Sequence, residues 1–150
     1  IMLIRTHFAI TIFFVLLLLS SVEDKILFGV VALIATLIPD IDSRFSTLGR
    51  KRIARILQWF TKHRGMIHSF TFLFSLTFLF LVFYPKIALG FFLGYSLHLF
   101  ADSFTIDGIT PFYPWKRKAK GRIRTNGKSE VVILVIFIIG SLGLLAGKVL

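Results

Sequence analysis

The chain is 150 residues long, 56% hydrophobic and 15% aromatic, with 18 phenylalanines, no cysteine and a net charge of +11. A mean hydropathy of +0.85 excludes an ordinary soluble domain and identifies an integral membrane protein; the lack of thiols excludes disulfides and thiolate metal sites. The basic excess lies in two loops between apolar runs, the cytoplasmic signature of a membrane protein, which argues against nucleic acid as the partner.

The first apolar run, Phe8 to Ser20, extends backward through Met2-Leu3-Ile4 across Arg5 and His7. A signal peptide has a similar profile, but no small-x-small cleavage site precedes Glu23-Asp24-Lys25, so the run reads as a retained helix. The second run, Ile26 to Ile38, stops at Pro39 and is short for a span of about 20 residues, yet it completes a helical hairpin with the first. Between Ser43 and Lys62, Leu48, Ile53, Ile56, Leu57 and Phe60 recur at helical spacing while Arg50, Lys51, Arg52, Arg55 and Lys62 take other faces. That pattern predicts an amphipathic helix lying on an anionic leaflet. Phe70 to Tyr84, ended by Pro85, is the third span, Ile87 to Phe100 the fourth and Val131 to Val149 the fifth. Before the fifth, Asn126-Gly127 carries a hairpin signal for a small β-ribbon, and Tyr113 with Trp115 reads as an interfacial aromatic pair. The expected fold is all-α, one domain over residues 1–150: a multi-pass membrane bundle of about five spans plus one interfacial helix.

Lysine and arginine set the orientation. Arg44, Arg50, Lys51, Arg52, Arg55, Lys62 and Arg64 lie between the second and third spans; Lys116, Arg117, Lys118, Lys120, Arg122, Arg124 and Lys128 lie between the fourth and fifth. By the positive-inside rule both loops and the N-terminus are cytoplasmic, with membrane lipids as immediate partners. On this map His7 begins the first span, Asp40 and Asp42 end the second, and His63 and His68 begin the third. His98 and Asp102, one helical turn apart and so on one face, end the fourth. All seven fall at the same membrane face. Ionisable groups there are costly unless paired, hydrated or metal-bound, and independent structural residues have no reason to gather.

Imidazole and carboxylate without thiolate suit zinc, manganese or iron. Seven candidates, His7, Asp40, Asp42, His63, His68, His98 and Asp102, exceed what one tetrahedral ion takes, so about two ions bridged by Asp40 or Asp42 is the economical reading. A metal-activated water attacking a phosphoester-like bond is the natural chemistry. Simpler roles are available to individual members: a buried His98–Asp102 pair, a capped helix start at His68-Ser69, a solvated His63, an interfacial His7 and a turn at Asp40-Ile-Asp42.

The ordered motifs Thr6-His7, Pro39-Asp40-Ile41-Asp42, His63-Arg64-Gly65-x-x-His68-Ser69 and Gly94-Tyr95-x-x-His98-x-x-x-Asp102-x-x-Thr105, followed by Gly108 and Pro111, resemble those of the YdjM-like family of membrane-bound metal-dependent hydrolases. The resemblance spans residues 6–111; Ile67, Ser43 and Ile106-Asp107 depart from its usual pattern. It implies an all-helical, multi-pass inner-membrane protein with a metal-dependent hydrolase site, distantly similar to zinc phospholipases and acting on a lipid-like or phosphorylated substrate. Candidate catalytic residues are Asp42, Arg64 as a phosphate clamp, and Glu130, whose place at a helix N-terminus also suits a purely structural carboxylate. The competing function is a metal-ion or proton transporter built on the same His/Asp cluster. Transport favours ionisable groups near the bilayer midplane, whereas these stand at helix ends.

Overall fold

The computed structural model describes residues 2–41 and 64–149. Asp42, His63 and the amphipathic segment expected over 43–62 lie outside the described residues, as does the side chain of Arg64.

The N-terminal apolar run forms α1, Ile4–Leu18, which tightens into a 3-10 turn at Leu19–Ser21 before α2, Lys25–Ile41. The two make the expected helical hairpin. A single turn, α3, Arg64–Ile67, precedes α4, Phe70–Phe83, and α5, Pro85–Ser103; α6, Lys128–Val149, ends the chain. Local chemistry sets these boundaries. Ser69 caps α4, its Oγ accepting the Phe72 N–H at 3.2 Å. Pro85 opens α5 at a position whose N–H would have no helical partner. Glu130 lies in the first turn of α6, where a carboxylate meets the positive end of the helix dipole.

Two expectations, the stop at Pro39 and the ribbon at Asn126-Gly127, are corrected, and of the five expected spans the first and the fifth meet the length and hydropathy of a membrane crossing. Pro39 does not stop the second helix, which runs on to Ile41 with Asp40 inside it. The ring fixes proline's φ at a helical value, so what Pro39 withholds from the last turn is one intrahelical hydrogen bond. Asp40 therefore projects from a helix rather than from an extended turn. Next, α1 with its 3-10 turn and α6 are the helices long and apolar enough to cross a membrane among the described residues. The second and third expected spans reach only 17 and 14 residues, short of the roughly 20 that a bilayer core needs. The fourth, α5, has 19 residues, but Gly90, Gly94, Ser96, His98 and Asp102 interrupt its apolar run. Last, no hairpin ladder forms at Asn126-Gly127. Asn126 takes a left-handed φ of 58° and the Gly127 N–H donates to the Arg124 carbonyl at 2.9 Å, a turn that feeds directly into α6. Isolated bridges, Thr105 with Ile123 and Ile109 with Ala119, tie the preceding loop together instead.

The packing is inverted relative to a soluble domain. Phe74, Phe78 and Phe83 on α4 and Val132, Ile136, Ile139 and Leu142 on α6 point outward, while Thr6, His7, Thr11, Thr36, Asp40, His98, Asp102 and Glu130 are buried. Such an exterior belongs against lipid tails. Inside, α2 and α5 approach at backbone distance. A Cβ on Gly90 would lie 2.8 Å from the Phe28 carbonyl oxygen, and one on Gly94 would collide with the Ala32 carbonyl. Glycine here admits the close approach that packs helices where no hydrophobic drive exists between them. Phe28 faces Gly90 and Ala32 faces Gly94, each pair one turn above the last. The same register sets Asp40 level with His98 and Asp102.

Candidate metal centre

Each arm of the site comes from a helix end. His7 sits in the first turn of α1, whose N-cap, Leu3, supplies no side-chain cap. Other parts of the chain hold that turn. The Met2 N–H donates to Asp102 Oδ1 at 2.7 Å, the Leu3 N–H to Glu130 Oε1 at 2.6 Å, and Thr6 Oγ1 to the same oxygen at 3.0 Å. Asp40 comes from the last turn of α2. His68 occupies the corner between α3 and α4, fixed by the Tyr95 hydroxyl, which donates to the Ile67 carbonyl at 2.7 Å, and by the Phe70 N–H, which donates to the Pro111 carbonyl at 2.8 Å. His98 and Asp102 lie on successive turns of α5, which Thr105 closes by donating its hydroxyl to the Asp102 carbonyl at 2.7 Å.

These five side chains, all buried, meet in one cluster. His7 Nε2 lies 3.3 Å from Asp102 Oδ1; His98 Nε2 lies 3.5 Å and His68 Nε2 3.9 Å from Asp102 Oδ2. His98 Nε2 is also 4.0 Å from Asp40 Oδ1. The His7 and His98 rings stack with centroids 3.9 Å apart and planes within 11°; His68 meets His98 edge-on at 5.7 Å. Two overlapping sets, His7–His98–Asp102 and Asp40–His68–His98, each bring their ligand atoms within 4.8 Å of one another.

The arrangement fits divalent metal. Both ring nitrogens of His7 and of His98, and Asp102 Oδ2, are buried without a hydrogen-bond partner among the described residues. Buried polar atoms are ordinarily satisfied, so atoms left this way converging on one point mark a place for an electrophile. Metal–ligand bonds of about 2.0–2.1 Å at tetrahedral angles put neighbouring ligand atoms roughly 3.4 Å apart, close to the 3.3 and 3.5 Å separations of His7 and His98 from Asp102. Asp102 turns one oxygen toward His7 and the other toward His98 and His68. Asp102 thus faces three imidazoles, while Asp40 Oδ1 stands 4.0 Å from His98 Nε2, the residue common to both sets; Asp42, the other carboxylate expected to bridge, lies outside the described residues.

One helical turn deeper, the Thr11 and Thr36 hydroxyls are 2.9 Å apart, and Thr36 donates to the Ala32 carbonyl at 2.8 Å and approaches the Gly94 carbonyl at 3.3 Å. This polar layer escaped the sequence reading, although Thr11 follows His7 by four residues and Thr36 precedes Asp40 by four, a spacing that places them on the same helix faces. The Met2 amide carries no sequence signal at all.

Of the residues singled out from sequence, the structure brings together His7, Asp40, His68, His98 and Asp102; Asp42 and His63 lie outside the described residues. Glu130 stands beside the cluster, with Oε1 on Leu3 and Thr6 and Oε2 accepting the Asn126 N–H.

A family model described as YdjM inner membrane protein matches residues 2–149. The chain belongs to the YdjM family. The uncharacterised protein YvsG of Bacillus subtilis (strain 168) is 30% identical over 117 residues, covering 74% of this chain and 73% of that protein. No solved structure matches. Membership of the YdjM family, with the long apolar helices α1 and α6, makes this a membrane protein.

Proposed function

We propose that the protein is a divalent-metal-dependent hydrolase at the cytoplasmic face of the inner membrane, acting on a phosphoester bond of a lipid-like substrate. The observation that carries this reading is the convergence of His7, Asp40, His68, His98 and Asp102 from several helix ends into one buried cluster, in which the ring nitrogens of His7 and His98 have no hydrogen-bond partner among the described residues. Divalent ions held by these residues, zinc before manganese or iron, would supply Lewis acidity toward a water and a phosphoryl oxygen. The protein's own groups hold the geometry. Asp102 offers its two oxygens to opposite imidazoles, the Met2 amide fixes Oδ1, and Asp40 with His68 completes the second set. From the sequence, Asp42 and His63 are proposed to complete the ligand set, with Arg64 to grip the phosphoryl group.

The multi-pass topology and the cytoplasmic N-terminus are part of this proposal and rest on charge bias. After α5, exposed Phe112, Trp115, Lys116, Arg117 and Lys118 suit an aromatic and basic contact with anionic headgroups, from which a lipid substrate would enter. Transport by the same residues is the competing reading, and the helix-end position of the cluster favours hydrolysis.

The test is metal content of the detergent-purified protein by elemental mass spectrometry, wild type against His98→Ala/Asp102→Ala. About two ions per chain in wild type, lost in the variant, support the site; chelator-sensitive cleavage of phosphodiester or phospholipid substrates then supports the activity. A folded wild type that neither carries nor takes up metal overturns the reading.

A further inference from the structure

Glu130 is a fully buried carboxylate whose hydrogen-bond partners among the described residues are uncharged: two amides and a hydroxyl. Burying a carboxylate costs several kcal/mol unless hydrogen bonds replace its water, so its place in a lipid-facing helix calls for a reason. Capping α6 accounts for one oxygen only. Oε2 reaches back to the Asn126 N–H much as a capping-box glutamate does. Oε1 serves a different helix, accepting from the Leu3 N–H and the Thr6 hydroxyl.

What Oε1 holds is the turn that presents His7. Thr6 precedes His7 directly, and the amides of Met2 and Leu3 part company: the first goes to Asp102, a member of the metal cluster, and the second to Glu130. The N-terminal turn of α1 thus hangs between two carboxylates. Rotating this uncapped turn about the helix axis would swing His7 away from Asp102 and draw the Met2 amide off Oδ1. Arg5 adds an outer tie, its guanidinium donating to Asn126 Oδ1 at 3.3 Å.

We infer that Glu130 is a positioning residue of the metal centre, clamping the first turn of α1 to the start of α6 so that His7 and the Met2 amide meet Asp102. The inference rests on the metal-centre reading above. Glu130 does not ligate; it acts through α1, as outer groups around metal sites orient the ligands, with losses of about 10–100-fold in affinity when removed.

The experiment is a zinc-affinity cycle on the full-length protein in detergent, by competition with a chromogenic chelator, over wild type, Glu130→Ala, His7→Ala and the double variant. Glu130→Ala is expected to weaken zinc binding about 10–100-fold. In the His7→Ala background the same change is expected to cost less than in wild type, because only the route through the Met2 amide to Asp102 is left. Should Glu130→Ala fail to fold, Glu130→Gln and Thr6→Val enter the cycle instead, each removing part of the clamp. Wild-type affinity in the Glu130 variants, or losses that simply multiply with that of His7→Ala, overturns the inference while leaving the metal centre standing. A wild type that binds no zinc removes both.

Discussion

Substituting alanine at Gly94 tests whether the site depends on the backbone contact between α2 and α5. At Gly90 the added Cβ would stand 2.8 Å from the Phe28 carbonyl oxygen, against ordinary contact from 3.4 Å, so separating the helices by about 0.6 Å relieves it. At Gly94 the Cβ falls on the Ala32 carbonyl itself and lies 3.0 Å from the Ala32 Cα. Both neighbours are backbone, and no side chain can turn aside. Overpacking costs about 1–3 kcal/mol, with Gly90→Ala at the lower end and Gly94→Ala at the upper. At roughly 2–4 °C per kcal/mol for a chain of this size, melting temperatures should fall by about 3 °C and about 9 °C. Asp40 and His98 face each other at 4.0 Å across this helix pair, so Gly94→Ala should also weaken zinc binding by at least about tenfold. Thermal unfolding in detergent, with and without zinc, reads both effects. A Gly94→Ala protein no less stable than Gly90→Ala, and holding zinc as tightly as wild type, would refute the packing argument.

Further predictions concern the cluster and its supports. Tyr95→Phe deletes the hydroxyl bonded to the Ile67 carbonyl, which should cost about 1–3 kcal/mol by leaving a buried carbonyl unpaired, and zinc affinity should fall with it. Ser69→Ala removes the α4 cap and should lower stability by about 1 kcal/mol in the same unfolding assay. Ligand histidines bind metal only when neutral, so zinc affinity should fall as pH is lowered and recover as it is raised; chelator competition across pH follows it directly. Zinc at about 100 times its dissociation constant should stabilise wild type by about 2.7 kcal/mol and leave the melting point of His98→Ala/Asp102→Ala unmoved.

The histidines and aspartates of the cluster were legible because each closes or opens an apolar run, and the charge of the loops assigns those run ends to one face. His98 and Asp102 also announced themselves by their spacing. Other features depend on contacts that no local pattern carries. The Gly90 and Gly94 spacing is visible in the sequence, but not that the Phe28 and Ala32 carbonyls lie against them. Pro39 reads as a stop because proline usually is one; its place a few residues from the helix end lets α2 continue, and that changes how Asp40 is presented. Asn126-Gly127 has the chemistry of a hairpin turn, yet Glu130, whose Oε2 accepts the Asn126 N–H at the start of α6, makes it a helix entry. Glu130 was readable as a carboxylate at a helix start, whereas its second oxygen reaches residues more than a hundred positions away.

The threonine layer beneath the cluster bears on how the site meets its surroundings. Thr36 stitches α2 to α5 just where their backbones touch, and Thr11 joins it from α1. A solute crossing the protein at this depth would have to break that stitch and prise apart helices whose main chains are in contact. Toward that depth the cluster is walled off by paired hydroxyls and by main chain packed on main chain.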